Sequence, residues 1–461
     1  MIQDLDPYGT SDIKRKDFIE QLTNELKYVF KGINPLWAEV CARTALATGL
    51  KNIKIAYAGR PLSLNQFNMC IGMPGSKKTL PLRYAQAIIS RLNYLSKHDY
   101  IFPEKFSVAG MTDQLSELKK GSEKKYPPVY KYECGTIFRD EFTALFKQAR
   151  KVDWAIDMLE FLSELYDGYS SKKRTKEHGL QKAPESYVNL LTTTTYDFLS
   201  KVDDDFFNQG TGTRFLYTVI EPDDITIEHL DRRLFQKNAI KDRETTINKY
   251  AELLRKLYSI TELKELRLTM DAFRIWNEHD FKVHNIWLSK ARVDPTNWEY
   301  PYLNRLPEYT LKLAGLYSIS RQIEFLIRLK ENDRLEQLED ITIEGMDVER
   351  AKATVLKHHE EFKKLVRLRR TITGRIKAVS HQSLVDAIVE VLRKFPKGMA
   401  THGQWFATQT IVSSEKTFDK YRDTSIVKGK VVLIGREHLS PEDLKRMKVR
   451  TSSKVYKVRK M

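Results

Sequence analysis

The stretch that most constrains this 461-residue sequence is Gly72-Met73-Pro74-Gly75-Ser76-Lys77-Lys78-Thr79. Before it, Gln66-Phe67-Asn68-Met69-Cys70-Ile71 reads as a short inner strand. After it, Leu82, Ala85, Ile88, Ile89, Leu92 and Leu95 recur at helical spacing. A strand, a glycine turn and a helix in that order form the unit of a parallel α/β sheet. Such a turn presents successive backbone N–H groups and a helix N-terminus, which together cradle an anion. Gly72, Pro74, Gly75, Ser76 and Lys77 would wrap a β-phosphate, Lys78 would reach the β/γ oxygens, and the Thr79 hydroxyl would hold Mg²⁺. One position departs from the GxxxxGK[ST] pattern. Lys77 stands where glycine is usual, and forcing a side chain into that backbone geometry costs about 1 kcal/mol or more. The expected ligands are ATP and Mg²⁺.

An ATP-hydrolysing site also needs carboxylates at the end of a second strand. Gly135-Thr136-Ile137-Phe138-Arg139-Asp140-Glu141 supplies them, with Asp140 expected at the metal through water and Glu141 expected to orient and polarise the attacking water. Arg139 makes this strand less apolar than usual. A third strand, Tyr187 to Thr195, is apolar and then runs into four threonines, which suits a γ-phosphate sensor at a sheet's carboxyl edge. Thr194 is the chosen position, with Thr195 and Thr193 as alternatives because register is open; threonine is also simply a good strand former. Arg214, between Gly212-Thr213 and the apolar strand that runs to Ile220, sits where an arginine finger could reach a neighbouring subunit's ATP, or where a plain salt bridge could form.

Hydrophobic residues make up 41% of the chain, enough to bury large cores, so wholesale disorder is excluded. The apolar runs are far shorter than the roughly 20 residues of a membrane span. With no signal-like start and three widely separated cysteines (Cys41, Cys70, Cys134), the expected setting is the cytoplasm, without disulfides or a cysteine-based zinc site. His358 and His359 are adjacent on a charged helix, and His279 and His284 are five apart, so neither pair has good spacing for one metal. The net charge is +17, and the last 89 residues hold nineteen Lys/Arg against eight Asp/Glu. That dense terminal field is what phosphate-backbone binding requires, although a solubilising tail would also carry it. The terminal module reads as three helices (Ser383–Phe395, Trp405–Val412, Glu415–Arg422) and two strands (Ile426–Ile434, Val455–Val458), the pattern of a winged helix-turn-helix. Its recognition helix would present Lys416, Lys420 and Arg422, and its wing Lys428 and Lys430. Between the Asp223-Asp224 pair and this module, residues 242–370 look almost wholly helical.

From Pro35 to about Val366 the sequence resembles the DUF3987-type P-loop ATPases of phage, plasmid and archaeal mobile-element replication modules. The matching segments are GMPGSKKT, FRDEF, FLSELYDG, NLLTTTTYDFL, TGTRFLYTV and the stretch from Asn304 through Gly315. That resemblance implies an AAA+-like, ring-forming motor linked to nucleic acid, with a hexamer as the expected ring. It implies that Arg305 is a lid arginine reading the γ-phosphate within its own subunit; a capping or solvent-facing arginine before Pro307 is the alternative. It also implies that the segment before the sensor strand is a pore hairpin, with Lys172, Lys173, Arg174 and Lys176 tracking a DNA backbone; a solvated loop is the alternative.

The expected architecture is an N-terminal helical extension (1–32), an α/β ATPase core (33–225), a helical lid (226–372) and a basic winged-helix domain (373–461). The leading functional expectation is a replicative helicase of a virus, plasmid or other mobile element. An initiator or DNA-remodelling ATPase and an ATP-gated DNA-binding regulator are the alternatives.

Overall fold

Four strands buried along their whole length and one short edge strand form an all-parallel sheet in this protein. They are β3 (Phe67–Gly72), β4 (Ile101–Phe102), β5 (Cys134–Arg139), β8 (Tyr187–Thr194) and β9 (Phe215–Ile220), ordered β4-β5-β8-β3-β9. The computed structural model describes residues 17–57, 59–104, 111, 134–143, 154–168, 172–175, 179–182, 186–202, 206–207, 210–224, 239–292, 299–334, 336, 338, 341–408, 415–447 and 454–459. In register, Met69 of β3 lies opposite Thr192 of β8 on one side and Tyr217 of β9 on the other. From β3 the chain passes through helix α3 (Thr79–Ser96) to the far edge at β4, then returns through β5 and β8. β9 takes the other side of β3. The strand order therefore reverses at β3, and the carboxyl end of a strand at such a reversal opens onto a ligand crevice.

Helices α1 (Phe18–Val29) and α2 (Pro35–Ala47) pack together against this core. Asn34 caps α2 by accepting from the Trp37 N–H at 3.1 Å, and Pro35 occupies the first turn, where its missing N–H costs nothing. Buried polar bonds then fix α2 on the sheet: Tyr187 Oη donates to the Ala47 carbonyl at 2.7 Å, and Asn68 Nδ2 to Thr44 Oγ1 at 3.0 Å. Helix α1 is bound into this unit. Phe18, Leu22 and Leu26 are buried, and the N-cap residue Asp17 accepts from Ser320 Oγ at 2.7 Å and pairs with Arg350 at 2.6 Å.

A second sheet was not legible in the sequence. β1 (Lys54–Tyr57) pairs antiparallel with β2 (Arg60–Ser63) and parallel with β10 (Glu265–Leu268), which pairs in turn with β11 (Thr342–Ile343). Two of these strands interrupt the region expected to be helical, whose main helices are α5 (Ala239–Tyr258), α6 (Met270–Ala291), α7 (Leu306–Glu331) and α8 (Gly345–Arg393). The helix before the sensor strand, α4, runs Trp154–Asp167, and a hairpin follows it: β6 (Lys172–Thr175) with β7 (Gly179–Lys182).

The chain divides into two compact units, Met1–Arg367 and Leu368–Met461, with the division inside α8. The segment expected as core and the segment expected as lid, as far as Arg367, thus share one unit with α1. In the second unit β12 (Met399–Thr401), β13 (Val431–Ile434) and β14 (Val455–Val458) form an antiparallel sheet ordered β12-β14-β13. It carries helices α9 (His402–Thr408), α10 (Glu415–Val427) and α11 (Pro441–Arg446). Ile388, Leu392, Trp405, Phe418, Val431 and Tyr456 form its core, and Trp405 Nε1 donates to the Ile388 carbonyl at 2.9 Å. Because α10 continues to Val427, the segment 427–431 is a helix-to-strand turn rather than the tip of a wing. The antiparallel connection joins β13 to β14 and contains α11.

Candidate functional site

At the carboxyl end of β3 the chain makes a tight loop that only particular residues can form. A Cβ on Gly72 would stand 2.9 Å from Ser76 Oγ and 3.1 Å from the Ile220 Cβ, and Gly75 sits at φ +83°. The Met73 carbonyl closes the loop by accepting from Ser76 Oγ at 2.8 Å and from the Ser76 N–H at 3.3 Å. Lys77 takes the left-handed conformation with φ 57°, as the departure from glycine implies, and its ammonium donates to the Lys31 carbonyl at 2.5 Å. Lys78 is buried, and its ammonium donates to the carbonyls of Gly72 at 2.9 Å and Met73 at 2.8 Å. Burial pushes its pKa below the usual lysine range, opposed by Cys70, Glu141 and Asp140. Trp37 Nε1 donates to the Lys78 carbonyl at 2.8 Å, so α2 holds the first turn of α3 in place.

Asp140 and Glu141 follow β5, which β8 separates from β3. The Thr79 hydroxyl lies 3.1 and 3.2 Å from the two Asp140 carboxylate oxygens, and Thr193 Oγ1 donates to Asp140 Oδ1 at 2.5 Å. Thr194 Oγ1 donates to Glu141 Oε1 at 3.1 Å and lies 2.6 Å from the Thr143 hydroxyl. Thr194, chosen from sequence, therefore meets the Glu141 carboxylate, whereas its alternative Thr193 meets Asp140. Glu141 is exposed and adopts φ 68°, a strained conformation for a side-chain-bearing residue. The next residue holds it there. The Phe142 N–H donates to the Thr193 carbonyl at 2.8 Å, and the Phe142 ring packs on Phe198 and Phe215. Arg139 is buried at the end of β5, where Nη1 donates to the Glu104 carbonyl at 2.6 Å.

The donors around Thr79 and Asp140 are hydroxyl and carboxylate oxygens, the type a hard cation such as Mg²⁺ takes. Among the described residues no group of three or more His, Cys, Asp or Glu gathers as a metal cage. A site of this kind suits a cation that takes its remaining ligands from phosphate and water.

Arg214 and Arg305 lie elsewhere. Arg214 ends a short 3₁₀ turn before β9, level with Phe67 at the start of β3 and hence at the opposite edge of the sheet from Gly72. Its guanidinium forms a two-bond pair with Asp167, the last residue of α4, and Nη1 donates to the Gly210 carbonyl at 2.7 Å. Arg305 is the N-cap residue of α7 but makes no side-chain cap bond. Its guanidinium lies 3.2 Å from Glu308 and 3.5 Å from the same Asp167, so this half-buried arginine is engaged with carboxylates at that end of the sheet rather than with Lys78. Lys312, buried on the next turn of α7, donates to Asn65 Oδ1 at 3.1 Å and sits 3.8 Å from the centre of the Tyr166 ring. Burial pushes its pKa down to about 8, opposed by Glu308.

The expected nucleic-acid contacts are dispersed. Lys172, Lys173 and Arg174 lie on strand β6, paired with β7, rather than at a hairpin tip; Lys176 is outside the described residues. In the second unit Lys420 and Lys428 are exposed. Arg422 is drawn to Asp419 at 2.6 Å and Asp423 at 2.8 Å, and Lys430 pairs with Asp386. The Lys416 side chain is outside the described residues. Trp37, Thr143, Asp167 and Lys312 were not assigned from sequence, since each gains its place only through tertiary contacts. No helix among the described residues is long and apolar enough to cross a membrane. Compared with known protein families and with curated proteins, the chain finds no match in either.

Proposed function

We propose that this chain is an ATP-hydrolysing, DNA-binding motor of the AAA+-like P-loop class that works as a homo-oligomeric ring, and that its role is that of a replicative helicase of a mobile element. One observation carries the reading: the Thr79 hydroxyl and the Thr193 hydroxyl meet on Asp140, beside Glu141, at the carboxyl edge where the Gly72–Thr79 loop opens. A phosphate loop, an acidic pair one strand removed and a hydroxyl strand between them are the parts phosphoryl transfer needs.

In this reading Lys78 exchanges its two loop carbonyls for the β/γ oxygens of ATP, and the loop N–H groups and the start of α3 receive the β-phosphate. Thr79 and Asp140 would hold Mg²⁺, which when bound neutralises charge developing on the phosphates. Glu141, aimed by the Thr194 hydroxyl and by the strained backbone behind it, accepts the proton of the attacking water. Arg214 cannot serve its own subunit's loop from the far edge of the sheet and is proposed to serve a neighbour's.

Support for DNA is the positive excess of the last 89 residues together with the fold of the second unit. Its helices α9 and α10 precede a β13–β14 pair completed by β12, an order that suits a winged helix with Lys420 on the recognition helix. The test is steady-state ATP hydrolysis with and without single- and double-stranded DNA. DNA-stimulated turnover that disappears in Lys78→Ala, and in a Glu141→Gln variant that still binds ATP, is the expected result. Absence of turnover in the wild type overturns the motor.

A further inference from the structure

One side of helix α6 is anchored in the first unit. Ala272, His279 and Val283 are buried there, and Trp276 Nε1 donates to the Pro307 carbonyl at 3.1 Å. The opposite side points to solvent yet is not polar. Met270 is 84% exposed and Phe281 70%, and Phe273 and Leu288 are exposed with them. Large apolar side chains left in water along one line mark a contact surface, whereas single scattered ones need no explanation.

The line has a period. Met270, Arg274, Asn277, Phe281, His284 and Leu288 follow one another at alternating steps of four and three residues, the seam of a two-stranded coiled coil. Charge and order then restrict what can lie along it. Asp271 and Glu278 fall in the first half of the helix, bridged by Arg274 at 2.8 and 3.9 Å, and the exposed Lys282 falls in the second half. Reversed end to end about residues 280–281, the helix matches itself. Met270 comes opposite Ala291, Phe273 opposite Leu288 and Asn277 opposite His284, with Glu278 close to Lys282 and Phe281 at the axis. Asp280, the carboxylate nearest that axis, is already held by its own His284 at 3.1 Å. A groove for an unrelated helix needs no such internal symmetry.

We propose that two copies of this chain pair antiparallel through α6, across a two-fold axis near Phe281. Phe281 and the Met270–Ala291 and Phe273–Leu288 layers supply the apolar contact. Asn277 with His284 fixes the register, as a polar residue in a coiled-coil seam does at a cost in stability. Two reciprocal Glu278–Lys282 pairs flank the axis. The contact is isologous, unlike the head-to-tail contacts that close a ring, and it does not rest on the ATPase reading. A single helix pair is smaller than a standard stable interface, so the association is weak and depends on concentration.

Sedimentation equilibrium of the full chain without nucleotide, over roughly 1–100 µM, tests this. At the upper end the wild-type mass should approach twice that of Phe281→Asp. That variant loses the central apolar contact and should pair about 30-fold or more weakly, with melting unchanged because the side chain is exposed. Glu278→Lys and Lys282→Glu each set like charges together twice and should weaken pairing about tenfold. Mixed in equal amounts, these two variants should regain the wild-type mass, because the more basic chain then faces the more acidic one at both pairs. Charges satisfied only within one helix give no such rescue.

Equal mass for wild type and Phe281→Asp at every concentration overturns the pairing. A lower mass for Phe281→Asp, without rescue when the charge variants are mixed, overturns the antiparallel self-pairing and leaves the stripe to a different protein. Should Phe281→Asp melt early, the mixing result decides alone.

Discussion

Lys77 offers a direct measure of what the Gly72–Thr79 loop costs the fold. Its backbone sits at φ 57°, where a side chain crowds the following carbonyl at about 1–2 kcal/mol. Against that strain, its ammonium donates to the Lys31 carbonyl at 2.5 Å, a bond from a charged group worth about 1.5 kcal/mol. Lys77→Gly relieves the strain, loses the bond, and adds about 0.5–1 kcal/mol of unfolded-chain freedom, so its net cost is only about 1 kcal/mol. Lys77→Ala loses the same bond and keeps the strain, so its cost is about 1.5 kcal/mol. Glycine is therefore expected to be the more stable of the two, by roughly half a kcal/mol, against the usual order in which alanine is preferred. Urea unfolding of the three proteins, fitted with a common slope, resolves the order. If alanine proves as stable as glycine or more so, Lys77 does not hold a left-handed backbone in solution, and the argument for a strained loop fails.

Two further outcomes follow from the packing. Trp37→Phe removes the indole donor to the Lys78 carbonyl and leaves a small void, so stability should fall by about 2 kcal/mol in urea unfolding and the KM for ATP should rise, with kcat changed less. Stability should also fall as pH drops from 6.5. His358 accepts from Arg43 Nη2 at 3.0 Å on Nε2, which leaves its Nδ1–H to donate to the Tyr217 carbonyl at 2.7 Å, and burial with the nearby Arg43 pushes its pKa down to about 3. The unfolded chain takes up that proton near pH 6.5 and the native one does not. The neutral histidine's contribution is therefore complete above pH 6.5 and is lost as pH falls toward 3. His279, pushed down to about 4 by burial, adds the same sign. His358→Gln should flatten the acid slope of urea stability without abolishing it; an unchanged slope would remove His358 from the account.

How far the sequence could be read followed the range of the interactions involved. The β3–loop–α3 unit is local: its apolar run, its glycines and its helical period lie within thirty residues, and the strand ends at Gly72 as expected. The Asp140–Glu141 pair and the threonines of β8 were legible as chemistry because strand ends concentrate polar groups, but their pairing was not. Alternation along β8 sends Thr193 to Asp140 and Thr194 to Glu141, and no local pattern sets that register. The second sheet was hidden for a related reason. Thr342–Ile343 is two residues long, and Glu265–Leu268 lies between helices of charged periodicity, so neither outweighs its surroundings until β1 lies alongside.

Arg305 shows where resemblance and geometry part. Its neighbours Leu306 and Pro307 mark a helix start, and a helix start near a nucleotide is a reasonable place for a cis arginine. What fixes its location is tertiary: Trp276 Nε1 bonding the Pro307 carbonyl at 3.1 Å, Tyr309 bonding the Thr213 carbonyl, and Lys312 reaching Asn65. These contacts tie the first turns of α7 to the edge where β3 and β9 begin. An arginine at the head of that helix is thereby committed to the end of the sheet away from the Gly72–Thr79 loop, beside Arg214 and the carboxylate of Asp167 that both reach.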